Sequence, residues 1–455
     1  MSWSGKRVAV AGLGRSGIAV AKAAKQLGAQ VVAFDERPSD NPSVITATDD
    51  LSVSGVEVVS NWHGRLDPDE FDTLVVSPGF AITHPSIHDM GGREVMGEVE
   101  FAYLAANDPV IAITGTNGKS TTTVLTWLLL KAAGVDAILC GNIAGSGYPE
   151  MTVTEAAMQG GEVLVAEISS FQLETVKNFR PFVATVTNIA PDHLDRHASY
   201  EEYVNCKLRL FDRMSGGDTI VIDKDAPGTP LDRINDNCRN VWLSSTGTNS
   251  TNGHTARVGT TLFFSGHQID ATSLKVIGEH NVANAMVAWE LACSFVGEPT
   301  QDQADAMLSA LLSFEGLKNR MEVVAEKGGV SVINNSVCTN PEAVISSSQG
   351  LAGKQHLLIG GKRKNLNFEE VGQYLRGTDH QAYLFGPDTA ELNSQLGGLG
   401  QEFVSMGDAF EAAVQAAGNG ESVILMPGCA SAAPYPSFRE RGEHFVEMAE
   451  RWLLS

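Results

Sequence analysis

Basic residues are scarce in this chain. Its 455 residues include 32 lysines and arginines against 54 aspartates and glutamates, a formal charge of −22. A surface of that sign repels phosphate backbones and anionic headgroups, which argues against general nucleic-acid or membrane binding. An anionic small substrate stays compatible with it where the few cations gather in clefts. Cysteine is sparse too: six residues, at 140, 206, 238, 293, 338 and 429, with no C-x-x-C pair and no metal-ligand spacing. Reduced thiols in a cytoplasmic protein are the expectation, rather than a disulfide framework. No apolar run approaches the roughly 20 residues that span a bilayer. The apolar stretch after Gly5-Lys6-Arg7 is too short for a signal peptide.

What is present is ample for folding. Hydrophobic residues make up 43% of a chain too long for one core, and about 150 residues per domain suggests three domains. Short apolar runs alternate with helix-prone stretches, the pattern of α/β layers on parallel sheets.

The strongest motif begins where Val110 to Thr114, a β-branched run, feeds Gly115-Thr116-Asn117-Gly118-Lys119-Ser120-Thr121-Thr122. A helix-prone segment, Val124 to Ala133, follows. Strand, glycine turn and helix start together make a phosphate cradle, because loop and helix N–H groups favour an anion at one spot. Lys119 adds charge for the outer phosphates, and the Ser120 hydroxyl can take a place on Mg²⁺. The full P-loop pattern would put its first glycine at Ile113.

Nearer the N-terminus, strand Lys6 to Ala11 leads into Gly12-Leu13-Gly14-Arg15-Ser16-Gly17, a helix, and strand Val31 to Phe34 ending at Asp35. This G-x-G-x-x-G carries three readings: a dinucleotide site, a site for the diphosphate of another nucleotide, or a glycine turn needed only for tight helix–strand packing. Thr73 to Val76 ends in Ser77-Pro78-Gly79, a second loop at a sheet edge. A nicotinamide reading lacks any hydride-transfer constellation downstream, whereas the P-loop offers phosphoryl transfer.

Asn107-Asp108-Pro109 reads as a linker into the second domain. There, strand Ala137 to Cys140 leads to Gly141-Asn142-Ile143, and strand Glu162 to Ala166 delivers Glu167-Ile168-Ser169-Ser170-Phe171-Gln172-Leu173 at its carboxyl end. In an open parallel sheet that end faces the ligand crevice, and a carboxylate beside a P-loop suits Mg²⁺. Phe182 to Thr187 opens into Asp192-His193-Leu194-Asp195-Arg196, where His193 between two aspartates is a metal or proton-handling candidate. Asp192 and Asp195 also fit plain turn formers. A capping box at Ser199 starts a helix through Lys207 to about Met214, with Lys207 near the boundary of its buried face. Asp218 to Asp223, Asn240 to Leu243 and Thr260 to Phe264 resemble short edge strands. Asn281 and Asn284 share one face of an alanine-rich helix. Leu311 to Arg320 reads as a second linker. Strands Val330 to Asn334, His356 to Ile359, Ala382 to Phe385 and Ser422 to Met426 then repeat the alternation. The basic run Lys362-Arg363-Lys364 fits either an anion site or a solvated surface.

Taken together, these residues resemble the Mur ligase family, ATP-dependent amino-acid ligases of cell-wall precursor synthesis. The P-loop variant, Glu167 to Glu174, Asp192 to Arg196 and the N-terminal glycine loop carry the likeness. Folylpolyglutamate synthases share that P-loop but lack the first domain. The resemblance implies an α/β protein of three domains. Residues 1–106 would form a Rossmann-like UDP-sugar-binding domain, 107–314 a central parallel-sheet P-loop ATPase domain, and 315–455 a C-terminal Rossmann-like domain. The implied reaction adds D-glutamate to UDP-N-acetylmuramoyl-L-alanine through an acyl phosphate, in a cytoplasmic monomer with no nucleic-acid or membrane partner. A paralogue that joins L-glutamate or another amino acid, or a non-catalytic nucleotide-sugar binder, is the alternative.

The family's site residues carry over by position. Gly14, Arg15, Ser16, Asp35, Glu36, Arg37, Ser77, Pro78, Gly79 and Asn142 would hold the UDP substrate. Gly115, Thr116, Asn117, Gly118, Lys119, Ser120, Thr121, Asn281 and Arg320 would hold ATP. Lys119, Glu167, His193 and Lys207 would serve catalysis. Mg²⁺ would sit on Ser120, Glu167, His193 and a carbamylated Lys207. Thr339, Lys364, Ser431 and Phe438 would grip the amino acid. Two places depart from the family pattern: its Asp-Ser-Lys is Asn335-Ser336-Val337, and the His before Arg320 is Asn319. A carboxylate and an ammonium are lost together, so neither is left unpaired.

Overall fold

The computed structural model describes the chain except residues 1, 81–83, 85–89, 107, 194–195, 248–252, 277, 350, 364–365 and 432–433. Near-continuous apolar runs such as Val163–Glu167 are buried along their whole length, as parallel strands covered on both faces must be.

The first sheet runs, edge to edge, Glu57–Val59, Gln30–Phe34, Arg7–Ala11, Thr73–Val76, Glu94–Gly97, with every pair parallel. The chain fills one side of Arg7–Ala11 and then crosses to the other. The loops after Ala11 and Val76 therefore meet at the carboxyl ends, where such sheets bind ligands.

The central sheet is also parallel: Arg239–Leu243, Thr219–Asp223, Val183–Val186, Val110–Thr114, Val163–Glu167, Ala137–Gly141. Its order reverses at Val110–Thr114, where Ile113 pairs with Glu167 on one side and Thr185 on the other. That register brings the Gly115 loop, Glu167 and the loop after Val186 to one edge. A small antiparallel meander follows, Thr255–Val258, Thr261–Phe264, His267–Asp270. The last sheet orders Glu322–Lys327, Val330–Asn334, Ser422–Gly428, Gln355–Gly360, Gln381–Phe385, Gly400–Glu402, parallel except for its first pair.

Four expectations need correction. Asp218 to Asp223 is an inner strand of the central parallel sheet, flanked by Val183–Val186 and Arg239–Leu243, and Thr261–Phe264 is the middle of the meander. The helix from Tyr200 ends at Leu208 and tightens into a 3₁₀ turn, Arg209–Phe211. The second linker is also shorter than its sequence suggests: helix Gln301–Ser313 covers its start, because Ala304, Met307 and Leu311 bury one face at helical spacing.

Contacts group the chain into two compact units. One comprises Met1–Ala144, Pro149–Ser273 and Ala283–Ser313, and holds the first two sheets; the other comprises Gly145–Tyr148, Leu274–Val282 and Phe314–Ser455. Among the described residues no helix is long and apolar enough to cross a membrane.

Candidate active site

The P-loop sits at the reversal of the central sheet. Gly115 (φ 143°) and Gly118 (φ 82°) adopt backbone conformations that L side chains rarely reach. A Cβ on Gly115 would stand 2.0 Å from Thr187 Oγ1, and one on Gly118 2.4 Å from Asn284 Oδ1. Gly118 also caps helix Lys119–Ala132, so the helix's positive end opens on the loop.

The loop itself is held from outside. Thr116 N–H donates to Asn188 O (2.9 Å) and Asn117 N–H to Asn188 Oδ1 (3.0 Å). Thr187 Oγ1 and Asn188 Nδ2 donate to Asn117 O, and the Thr116 hydroxyl meets Tyr203 OH at 3.0 Å. The Thr116 and Asn117 N–H groups are thus bonded to protein, and the helix start from Gly118 to Thr121 is the candidate anion-binding end.

Lys119 Nζ donates to Gly115 O (3.0 Å) and Thr116 O (2.8 Å). Lys207, only 2% exposed, donates to the same Gly115 carbonyl at 2.6 Å and lies over the Tyr203 ring. Burial, reinforced by the charge of Lys119, holds the Lys207 amine well below the usual lysine range. That shift favours the uncharged, nucleophilic form of the amine.

Glu167 is 2% exposed at its strand end. Its Oε1 accepts from Asn142 Nδ2 (3.2 Å), while its Oε2 is buried with no hydrogen-bond partner among the described residues. A buried carboxylate oxygen without a donor is costly, and a cation on it removes the cost. No group of three or more His, Cys, Asp or Glu among the described residues is arranged to hold a metal alone. Mg²⁺ needs only one or two carboxylates when phosphates supply other ligands, so Glu167 fits such an ion. His193 takes a left-handed backbone (φ 55°), its ring 4.7 Å from that of Phe171 and its Nε2 3.5 Å from Asp192.

At the first sheet, the Asp35 carboxylate accepts from Leu13 N–H (2.7 Å), Arg37 N–H (2.9 Å), and Arg37 Nε and Nη2 (2.8 Å each). Burial would raise this carboxyl, but Arg37 and the two N–H groups outweigh it and hold it low. A carboxylate so engaged shapes the glycine loop, and it is poorly placed to take the ribose hydroxyls of a dinucleotide. A Cβ on Gly17 would lie 1.8 Å from Gly12 O, whereas one on Gly14 would make ordinary contact with Ser77. Glu36 pairs with His84, Arg15 donates to Ile143 O and Glu150 O, and Ser16 donates to buried Glu98. Ser77 N–H closes on Ala11 O, and the Ser77 carbonyl accepts from Phe80 N–H around Pro78 and Gly79.

In the second unit Asn281 is nearly buried, and Arg320 ends the turn from Leu317. Asn319 (φ 61°) accepts from Asn334 Nδ2, and Asn335 Oδ1 accepts from Met321 N–H. Both substituted positions thus sit inside an amide network that the Glu322 carboxylate joins, accepting from Asn319 N–H (2.8 Å) and Asn334 Nδ2 (3.4 Å). Phe438 O accepts from Ser336 Oγ (2.7 Å), and Thr339 and Ser431 are half-buried at the strand ends. Arg363 donates its backbone N–H to Asp388, and its guanidinium pairs with Glu391, so part of the basic run is neutralised. Lys364 lies outside the described residues, as do Asn107, Leu194 and Asp195.

Thr187, Asn188, Tyr203 and Asn284 all grip the P-loop and were given no role by their sequence context. Only Asn284 had a signal, its shared helix face with Asn281. A separate cavity of about 470 Å³, lined by Arg239, His254, Ser265, Cys293 and Glu298, includes none of these residues.

Residues 113–292 match the Mur ligase middle domain and residues 319–429 the Mur ligase, glutamate ligase domain. The chain is 35% identical over 451 residues to a UDP-N-acetylmuramoylalanine–D-glutamate ligase of Caldanaerobacter subterraneus subsp. tengcongensis, covering 97% of each chain. It is 34% identical over 463 residues to the ligase of that name from Pelotomaculum thermopropionicum, again covering 97% of each. In fold it resembles a pseudomurein peptide ligase type C from Methanothermus fervidus, with TM-score 0.59 and 18% identity over 98% of this chain and 100% of that one. Matched from end to end and centred on a P-loop domain, the chain belongs to the Mur ligase family of ATP-dependent ligases.

Proposed function

We propose that this enzyme joins D-glutamate to UDP-N-acetylmuramoyl-L-alanine at the expense of ATP, in the cytoplasm, as a step of peptidoglycan precursor synthesis. The observation that carries the reading is the full-length identity to ligases named for that reaction. Residues 1–106, 107–314 and 315–455 are assigned to the nucleotide sugar, ATP and the amino acid.

The chemistry begins with the substrate carboxylate attacking the γ-phosphorus of ATP. Lys119 and the helix start at Gly118 neutralise charge that builds on the phosphate oxygens. ADP leaves and an acyl phosphate remains. The amine of D-glutamate adds to its carbonyl carbon, and the tetrahedral intermediate expels phosphate to leave an amide. Thr339, Lys364, Ser431 and Phe438 are assigned to the D-glutamate carboxylates, and Asn142 to the substrate acid. Arg320 and Asn281 are assigned to the nucleotide.

Ser120, Glu167, His193 and Lys207 as its carbamate are the residues that would hold Mg²⁺, which when bound supplies further neutralisation of phosphate charge. The Glu167 Oε2, without a hydrogen-bond partner among the described residues, and the buried Lys207 amine, held well below the usual lysine range, support that assignment.

The test is phosphate release with a panel of amino acids. D-glutamate should exceed L-glutamate and the rest; equal release with L-glutamate would move the acceptor assignment to the altered Asn335 and Val337 pocket. Binding of the nucleotide sugar without turnover on any amino acid would reduce the protein to a binder.

A further inference from the structure

Arg196 follows the His193 loop and has no role in the reaction described so far. Its side chain is 16% exposed and its guanidinium is almost fully used. Nε and Nη2 form a two-pronged pair with Glu174, at 3.0 and 2.6 Å. Nη1 donates to Pro78 O at 2.7 Å and Nη2 to Phe80 O at 2.8 Å. Its flat face lies 4.2 Å from the centre of the Phe171 ring, the same ring that meets His193.

The far end of this contact reaches the glycine loop. Phe80 packs so closely over Gly12 that a Cβ there would stand 2.9 Å from its ring. The Phe80 ring also meets His84 at 4.9 Å, and His84 holds the Glu36 carboxylate at 2.8 Å. One planar side chain therefore touches the loop that closes the first sheet's site, and through Phe171 the residue beside the P-loop edge. A surface ion pair needs no carbonyl partners. Two carbonyls from another strand's loop, taken by a fork that Glu174 holds rigid, are the mark of a geometric clamp.

We propose that Arg196 is a positioning residue, fixing the Ser77–Phe80 loop to the His193 loop so that a seated nucleotide sugar has its carboxylate aligned toward the P-loop. The inference rests on the reading of the first sheet as the nucleotide-sugar site.

The test uses the full-length enzyme and the variants Arg196→Lys and Arg196→Ala. Lysine keeps the charge opposite Glu174, and with it the fold, but cannot fork to two carbonyls. We expect KM for UDP-N-acetylmuramoyl-L-alanine to rise about tenfold or more in both variants, with KM for ATP within about threefold of wild type. Added guanidinium ion should recover part of the loss in Arg196→Ala and none in Arg196→Lys. A lowered Tm in Arg196→Lys with a wild-type KM for the nucleotide sugar would make the residue a fold staple and overturn the proposal. Equal rises in both KM values would overturn it too. A wild-type enzyme that turns over nothing would instead sink the proposed function, so the two failures are separable.

Discussion

Lys119 and Lys207 share one acceptor: their Nζ atoms lie 3.0 and 2.6 Å from the carbonyl oxygen of Gly115. Burial and the nearby Lys119 charge together hold the Lys207 amine well below the usual lysine range. A lowered lysine value favours the uncharged amine that a carbamate requires.

Lys119→Ala should lower turnover by at least about 100-fold while binding of the UDP-sugar, followed by titration calorimetry, survives. Lys119 touches the Gly115 loop, whereas the glycine loop of the first sheet is built on Asp35 and Arg37. Loss of both activities together would contradict the assignment of two separate phosphate sites.

Lys207→Ala should be inactive and partly rescued by short carboxylic acids such as acetate, which can occupy the vacated space with a carboxylate. Full activity without added acid would remove the carbamate from the account.

Asp35→Asn should destabilise the protein by about 1–3 kcal/mol at neutral pH, since charge-assisted bonds to Arg37 and Leu13 are weakened. The Asp35 carboxyl is held below its ordinary 3.8. With the folded value depressed, its stabilisation is complete above about pH 4 and lost as pH falls through the folded value. Denaturant melts of wild type and variant should thus converge in acid. A gap that does not narrow as pH falls below about 4 would place the effect elsewhere.

The glycines of the first loop should separate by role. Gly17→Ala must push helix Arg15–Gln26 off the Gly12 carbonyl and should cost about 2–3 kcal/mol. Gly14→Ala meets only ordinary contact and should stay within about 0.5 kcal/mol of wild type, so any loss of UDP affinity there reports on the ligand. Melting temperature and UDP titration read the two effects.

Much of this arrangement was legible in the sequence, for a reason visible in particular residues. The P-loop, Glu167 and the strands before them are local: β-branched run, glycine turn and helix start lie within a few residues of one another. Lys207 is ambiguous in the sequence because the carbonyl that takes its amine, Gly115 O, lies 92 positions away. Asn188 and Thr187 reach Asn117 across 70 or 71 positions, and Arg196 reaches Pro78 across 118. Those partners are set by the order of strands in the sheets, which periodicity does not reveal. The same limit explains the strand taken for an edge: Thr261–Phe264 gains its second neighbour from His267–Asp270, a half-exposed strand with little apolar pattern.

The central claim is that ATP energises the alanyl carboxylate of the nucleotide-sugar substrate, and oxygen tracing tests it most directly. Substrate labelled with ¹⁸O in that carboxylate should yield phosphate carrying a single labelled oxygen for each amide formed, because the attacking oxygen leaves with phosphorus. Amide product accompanied by unlabelled phosphate would contradict the acyl-phosphate route.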